Sequence, residues 1–113
     1  MNLEKIKSVI PEFEMSHFQI FQKITSLQWE TENDFLLNKE YKVVTLTLAS
    51  PDYYQIEIEC FDTKYLQFSG HGEVLGFYIK NTDYQGYEIG DSVNHEIKLC
   101  CSDLEIKSFE MIH

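Results

Sequence analysis

The chain of 113 residues contains no arginine, and all nine of its basic side chains are lysine. Arginine supplies the planar fork that holds phosphate or guanine with two hydrogen bonds. The 19 Asp and Glu residues give the chain a formal net charge of −10. Such a chain repels the phosphates of nucleic acids and the anionic headgroups of lipids. We therefore predict neither nucleic-acid binding nor membrane binding.

Cysteines and long apolar runs are also scarce. The three cysteines, Cys60, Cys100 and Cys101, are odd in number and two of them are adjacent. This is a poor framework for disulfides and predicts buried thiols in a reducing compartment. No segment approaches the length of a membrane span or of the apolar part of a signal peptide. We therefore expect a cytoplasmic protein.

The apolar content is high enough for one core. Hydrophobic residues make up 43% of the chain and aromatic residues 14%, and 113 residues suit one domain, which we place at 1–113. A short helix is predicted at residues 3–10, ended by Pro11. After it the apolar residues recur at every second position, which predicts seven or eight short strands. The predicted fold is mainly β, a β-sandwich or a partly open antiparallel barrel, with one short N-terminal α-helix.

The predicted strands differ in how strictly their apolar and polar residues alternate. Segments 41–49 and 54–61 alternate most strictly and predict a hairpin with a turn at 50–52. Segment 17–30 is predicted to be extended with a bulge near Ile20 and Phe21, and segment 31–40 to be a loop or a hairpin tip. The later strands are predicted at 64–69, 75–80, 87–89, 97–101 and 104–111.

Catalytic and metal-binding chemistry is not favoured. Cys60 and Cys101 fall on inward phases of their strands, which is typical of structural thiols rather than of nucleophiles paired with histidine. His95 with Cys100 and Cys101 lacks the spacing of a zinc site, and adjacent residues of a strand face opposite sides. We predict no enzymatic activity, no catalytic residue, no metal and no cofactor.

Two acidic groups favour a protein partner. Glu57 and Glu59 lie two residues apart and therefore form a stripe on one face of a strand, and the loop around residues 83–91 combines tyrosines with acids. The predicted partner is a basic protein. Its predicted contacts are Glu57, Glu59, Tyr84, Tyr87, Glu88 and Asp91. The alternative for both groups is ordinary solvated surface. Exposed edge strands also leave a homodimer as an option.

A small-ligand site is the alternative function. It would be a pocket at one open end of the β-fold, lined by Trp29, Phe77 and Tyr78. Trp29 is the only tryptophan, and a side chain of its size is more often part of the core than of a ligand site, so we predict a core position for it.

The features after Pro11 come in a distinctive order. They are the run His17-x-x-Ile20-x-x-x-Ile24, the paired strands VVTLTL and YQIEIEC, the elements LQFSG and GFYI, and the closing EIKLCCSDLEIKSFE. This order resembles small bacterial immunity-type proteins, the cytosolic antidotes to contact-dependent and other polymorphic toxins. The resemblance implies a non-enzymatic protein that binds one toxin domain and covers its active site or the surface that the toxin uses on its target. It assigns no contact residue by position.

Overall fold

A computed structural model describes residues 1–82 and 86–112. These residues form six antiparallel strands in one sheet of order β1-β2-β3-β6-β5-β4, which confirms a mainly-β fold. One short α-helix and one 3₁₀ helix precede the strands. The elements are α1 (Glu4–Lys7), the 3₁₀ helix (Met15–Ile20), β1 (Lys23–Asp34), β2 (Lys39–Ala49), β3 (Tyr54–Phe68), β4 (Phe77–Thr82), β5 (Gly86–Asp91) and β6 (Ile97–Met111).

The described residues contain fewer strands than the seven or eight predicted, because two predicted turns lie inside long strands. Asp62 has a positive φ of 53° and the register between β3 and β6 shifts just after it. Its carboxylate accepts a hydrogen bond from Ser102 Oγ at 2.8 Å and lies 3.2 Å from Lys64 Nζ. Asp62 of β3 and Ser102 of β6 therefore contact each other across the two strands. The extra residue of β3 is accommodated as a β-bulge, and neither strand is interrupted.

The prediction that segment 17–30 is extended throughout is wrong for its first part. Met15–Ile20 is a 3₁₀ helix, and β1 begins only at Lys23. The ring of His17 closes the start of this helix, because its Nδ1 accepts a hydrogen bond from the Glu14 amide at 2.9 Å. Phe18 and Phe21 are both fully buried because the helix ends between them. That change from helix to extended chain looks like a change of strand phase in the sequence.

The N-terminal segment covers the core side of the sheet. Helix α1 is a single turn, shorter than predicted, and lies against β6. Because one turn is not stable by itself, its place depends on burial of Ile6. Phe13 and Phe18 meet edge to face at 5.0 Å between ring centroids, and Phe13 lies 6.2 Å from Phe109 on β6. These rings join the helices to the sheet.

The two edges of the sheet meet at one end. Lys23 at the start of β1 forms a bridge with Glu73, which precedes β4. The Ile24 amide donates to the Gly72 carbonyl at 2.7 Å. Gly72 has a φ of +79°, and a Cβ there would lie 2.8 Å from the Ile24 carbonyl oxygen, so a side chain does not fit. The arrangement is one curved sheet closed at this end, as in a partly open barrel.

Strands β1 and β2 continue beyond the body of the sheet as a two-stranded arm. Strand β2 pairs with β3 only from Val44 to Ala49, whereas its pairing with β1 continues to Lys39 opposite Asp34. We call residues 30–43 the arm. Its five residue pairs extend roughly 17 Å at about 3.4 Å per residue. The tip of this hairpin, residues 35–38, lies within the segment predicted as a loop or a hairpin tip.

Candidate protein-binding surface

The outer side of β3 and β6 carries a group of carboxylates. Glu57 and Glu59 alternate with the buried Ile56 and Ile58 and so point away from the core. Strand β6 adds a further glutamate directly opposite Glu59 and another opposite Gln55. We call this surface the acidic face. Its residues are Glu57, Glu59, Glu105, Glu110 and one cation, Lys107.

The charges of the acidic face are not balanced. Lys107 Nζ lies 3.1 Å from Glu59 Oε2. The hydrogen bond to Glu59 raises the pKa of Lys107, and the charges of Glu105 and Glu57 raise it further. The four carboxylates and one ammonium of the face sum to three negative charges. Glu59 and Glu105 also stand directly opposite each other, a cross-strand arrangement that costs stability.

The carboxylates of the acidic face share one side of the sheet with threonines of β2. Strand β2 places Thr45 and Thr47, both half-buried, opposite Glu59 and Glu57. All these side chains project from one side of one sheet. Hydrolysis by paired carboxylates requires them to flank a cleft that holds the substrate. Short threonines beside charged glutamates instead make a broad surface suited to a large cationic partner.

Glu88, in the second predicted group, is neutralised within the protein. It accepts a hydrogen bond from Tyr78 Oη at 2.7 Å and lies 3.3 Å from Lys80 Nζ and 3.9 Å from Lys98 Nζ. The bond from Tyr78, followed by the two lysines, lowers the pKa of Glu88, and burial together with Glu88 raises the pKa of Tyr78 to about 12. A Cβ at Gly90 would lie 2.5 Å from Tyr78 Oη, so this glycine lets the ring cross β5.

Of the other residues of the second group that the structure describes, Asp91 is buried and Tyr87 packs against the core. Asp91 is only 2% exposed, and its carboxylate accepts hydrogen bonds from the Ile97 amide at 3.1 Å and the Leu75 amide at 3.4 Å. The carboxylate of Asp91 is therefore held inside the fold and is not presented at the surface of the free protein. Tyr87 is half-buried against the core, and its Oη accepts a hydrogen bond from the Met1 amino group at 2.7 Å. Tyr84 lies outside the described residues.

The two predicted groups lie along different parts of β6. Glu59 is opposite Glu105 in the second half of β6, whereas Glu88 is opposite Cys100 in the first half. The bend near Ser102 separates the two halves. The structure therefore keeps Glu57 and Glu59 together and places Glu88 elsewhere.

The three thiols differ in the direction of their pKa shifts. Cys60 is fully buried, and a hydrogen bond to Cys101 together with this burial raises its pKa. Burial and the nearby Glu88 also raise the pKa of Cys100. Because only the thiolate attacks, these shifts disfavour Cys60 and Cys100 as nucleophiles. The hydrogen bond with Cys60 lowers the pKa of Cys101, whose side chain is buried. Within residues 1–82 and 86–112, no three His, Cys, Asp or Glu side chains are grouped so that they could hold a metal ion.

The residues of the predicted ligand pocket do not come together. Trp29 is 59% exposed on β1, with Lys42 Nζ 4.8 Å from its ring centroid, so the predicted core position is wrong. Phe77 is fully buried, and Tyr78 follows it on the opposite side of β4. An open depression of about 470 Å³ lies at the seam between the sheet edges instead. It is lined by Gln22, Lys23, Ala49, Ser50, Pro51, Glu73, Val74, Leu75 and Asn94.

Sequence reasoning missed two sets of surface residues. Glu105 and Glu110 belong to the acidic face, and the alternation with buried Leu104 and Ile106 would have placed Glu105 on the outer side. The second set is the hairpin tip, where three consecutive apolar side chains are exposed. They are Phe35 at 90%, Leu36 at 97% and Leu37 at 72%. The run of three apolar residues inside a polar segment was the available signal.

No protein-family model, no curated protein and no solved structure matches this chain. Helices in the described part of the chain are too short to cross a lipid bilayer.

Proposed function

We propose that this protein is a non-enzymatic binding protein of the immunity type. Its acidic face docks on a basic surface of one toxin domain and covers the site that the toxin needs for its activity. The toxin class with the matching charge is one that attacks nucleic acid, because such a toxin needs a basic surface to hold phosphates.

The opposition of Glu59 and Glu105 is the observation that carries this proposal. Like charges directly across two strands are destabilising, and one lysine, Lys107, paired at 3.1 Å with Glu59, serves both carboxylates. A cationic partner would turn this repulsion into attraction. The face thus gives up some stability of the free protein and gains it back in a complex.

The absence of arginine adds to this proposal. A binding surface that carries only carboxylates and lysines does not offer the paired donors that attract competing nucleic acid. Its negative field speeds the encounter with a basic protein and repels other acidic chains. Affinity of such a complex should fall as salt is added.

The proposal predicts that the gene directly upstream encodes a large secreted protein with a variable C-terminal domain, and that domain is the partner used in the test. When both are expressed together in bacteria, we expect the full chain to co-purify with that domain and to restore growth. Failure of the wild-type chain to bind or protect would contradict the proposed function.

A charge reversal tests whether the acidic face is the contact. We expect Glu57→Lys/Glu59→Lys to lose protection, because two attractive charges become repulsive. Glu12→Lys/Glu73→Lys is the matched control, since it makes the same change in net charge at two exposed positions outside the face. Equal protection by both variants would show that the face is not used.

A further inference from the structure

The tip of the arm exposes an apolar surface that the fold does not use. Phe35, Leu36 and Leu37 point into solvent at the end of a two-stranded projection, away from the core. Single exposed apolar residues are common, but three in succession at the end of a projection are typical of a binding element.

The backbone of the tip is held in one conformation. Asp34 Oδ1 accepts hydrogen bonds from the Leu36 amide at 3.0 Å and from the Leu37 amide at 3.2 Å. Asn38 closes the loop with a φ of +50°, a left-handed conformation that asparagine tolerates well. The apolar side chains therefore stand on an ordered loop, which lowers the entropic cost of binding.

Side-chain contacts also stiffen the arm. Tyr41 Oη donates a hydrogen bond to Glu32 Oε2 at 2.9 Å, and this bond raises the pKa of Tyr41. At the base of the arm, Lys42 lies over the ring of Trp29. A two-stranded ribbon in water is marginal by itself, so these cross-strand contacts help to keep the tip at a fixed distance from the sheet.

The charges around the tip indicate which class of partner it would bind. Four acids and two lysines flank it, so the arm is net negative. They are Glu30, Glu32, Asp34 and Glu40, and Lys39 and Lys42. Anionic lipid and a second copy of this acidic chain would both be repelled. A basic protein with an apolar pocket satisfies both the apolar tip and its acidic flanks.

We infer that the tip inserts Phe35 and Leu36 into an apolar pocket bordered by basic residues on the toxin domain. This inference rests on the proposed function and adds a second contact to it. The acidic face supplies attraction and orientation, whereas the tip supplies most of the affinity, because buried aromatic and apolar anchors at an interface carry more energy than charges at its rim.

The experiment compares variants of the full chain in binding to the same toxin domain. Phe35→Ser/Leu36→Ser should weaken binding roughly 30-fold or more. Its thermal unfolding should stay unchanged, because both side chains are exposed in the free protein. The matched control is Val93→Ser/Met111→Ser, which removes two apolar side chains that are also more than half exposed but lie elsewhere. The control should bind like the wild type.

The pattern of results separates this inference from the proposed function. If the wild-type chain does not bind, the proposed function fails and the inference falls with it. If the wild type binds and Phe35→Ser/Leu36→Ser binds equally well, only the inference is overturned. If this variant loses binding while Glu57→Gln/Glu105→Gln does not, the tip is supported and the acidic face is not the contact.

Two further measurements test the other occupants of the tip. The free chain is sedimented at increasing concentration and mixed with phosphatidylcholine vesicles, with and without phosphatidylserine. We expect a monomer that does not bind either vesicle. Self-association or vesicle binding that Phe35→Ser/Leu36→Ser abolishes would overturn the inference.

Discussion

The protein has two groups of carboxylates on its sheet, and they differ in what surrounds them. On β5, Glu88 has a tyrosine hydroxyl and two lysines around it, and Asp91 is buried on two backbone amides. On the acidic face, Glu59 shares one lysine with its neighbours and stands opposite Glu105. The first group stabilises the fold, whereas the second group costs stability.

The difference shows that acidic sequence does not by itself mark a binding surface. The segment around Glu88 and Asp91 is as acidic as the segment around Glu57, yet its charges are used inside the protein. The cross-strand register decides whether a glutamate is neutralised. It places Lys80 and Tyr78 beside Glu88, whereas it places Glu105 opposite Glu59.

Asp91→Ala should have the largest effect on stability. It leaves the amides of Ile97 and Leu75 without their acceptor, which we expect to lower the free energy of unfolding by about 3 kcal/mol. Urea denaturation measures this loss. Asp91→Asn keeps an oxygen acceptor and should lose less, and equal stability of Asp91→Ala and the wild type would mean that this carboxylate has no structural role.

Tyr78→Phe should have an intermediate effect. It removes the hydrogen bond to Glu88 and should lower the free energy of unfolding by about 1 kcal/mol, since the pair is partly exposed. The pKa of Glu88 should rise, because this bond is the main reason that it is low. A carboxyl titration followed by NMR measures the pKa. Tyr65→Phe, which removes an exposed hydrogen bond to Gln67 outside this cluster, serves as a control and should lose less stability.

The contribution of Glu88 should also depend on pH. Its pKa in the folded protein is lower than the ordinary value of 4.5, so the ionised form is the one that the fold favours. The resulting stability is fully present above pH 4.5 and is lost as the pH falls through the lower folded pKa. The stability difference between the wild type and Glu88→Gln should therefore shrink in acid. A difference that grows in acid would contradict this assignment.

Glu105→Gln should have the smallest effect and the opposite sign. It removes the charge opposite Glu59, so we expect the free energy of unfolding to rise by about 0.5 kcal/mol. Glu88→Gln makes the same chemical change in the other group and should destabilise. If both substitutions destabilise, the acidic face is not strained and the comparison between the two groups fails.

Much of the fold could be predicted from the sequence. The strict alternation of Leu46 and Leu48 with threonines, and of Ile56 and Ile58 with glutamates, identified the central hairpin and the outward direction of Glu57 and Glu59. Period-two burial is a local property, so the sequence reports it directly.

The errors involve contacts between distant residues. The strands predicted at 54–61 and 97–101 continue through Asp62 and Ser102 into the next predicted strands, and these two side chains meet across the sheet. The 3₁₀ helix at Met15–Ile20 buries rings at a spacing that resembles a strand. Asp91 reads as a surface acid, and only its position beside the Ile97 amide shows that it is buried.

The candidate site was predicted only in part for the same reason. Glu57 and Glu59 were found because they share one strand. Glu105 joins them only through the register between β3 and β6, and the exposure of Phe35 depends on where β2 leaves β3. The position of Glu105 and the exposure of Phe35 therefore cannot be predicted from a local sequence pattern.

The salt dependence of binding tests the acidic face most directly. The affinity of the wild-type chain and of Glu57→Gln/Glu105→Gln for the toxin domain is measured calorimetrically over a series of salt concentrations. Glu12→Gln/Glu73→Gln, at two exposed positions outside the face, is the control of equal charge. We expect the face variant to bind roughly tenfold more weakly at low salt and to show a shallower salt dependence, while the control follows the wild type. A wild-type affinity that is indifferent to salt and to the loss of both glutamates would contradict the account.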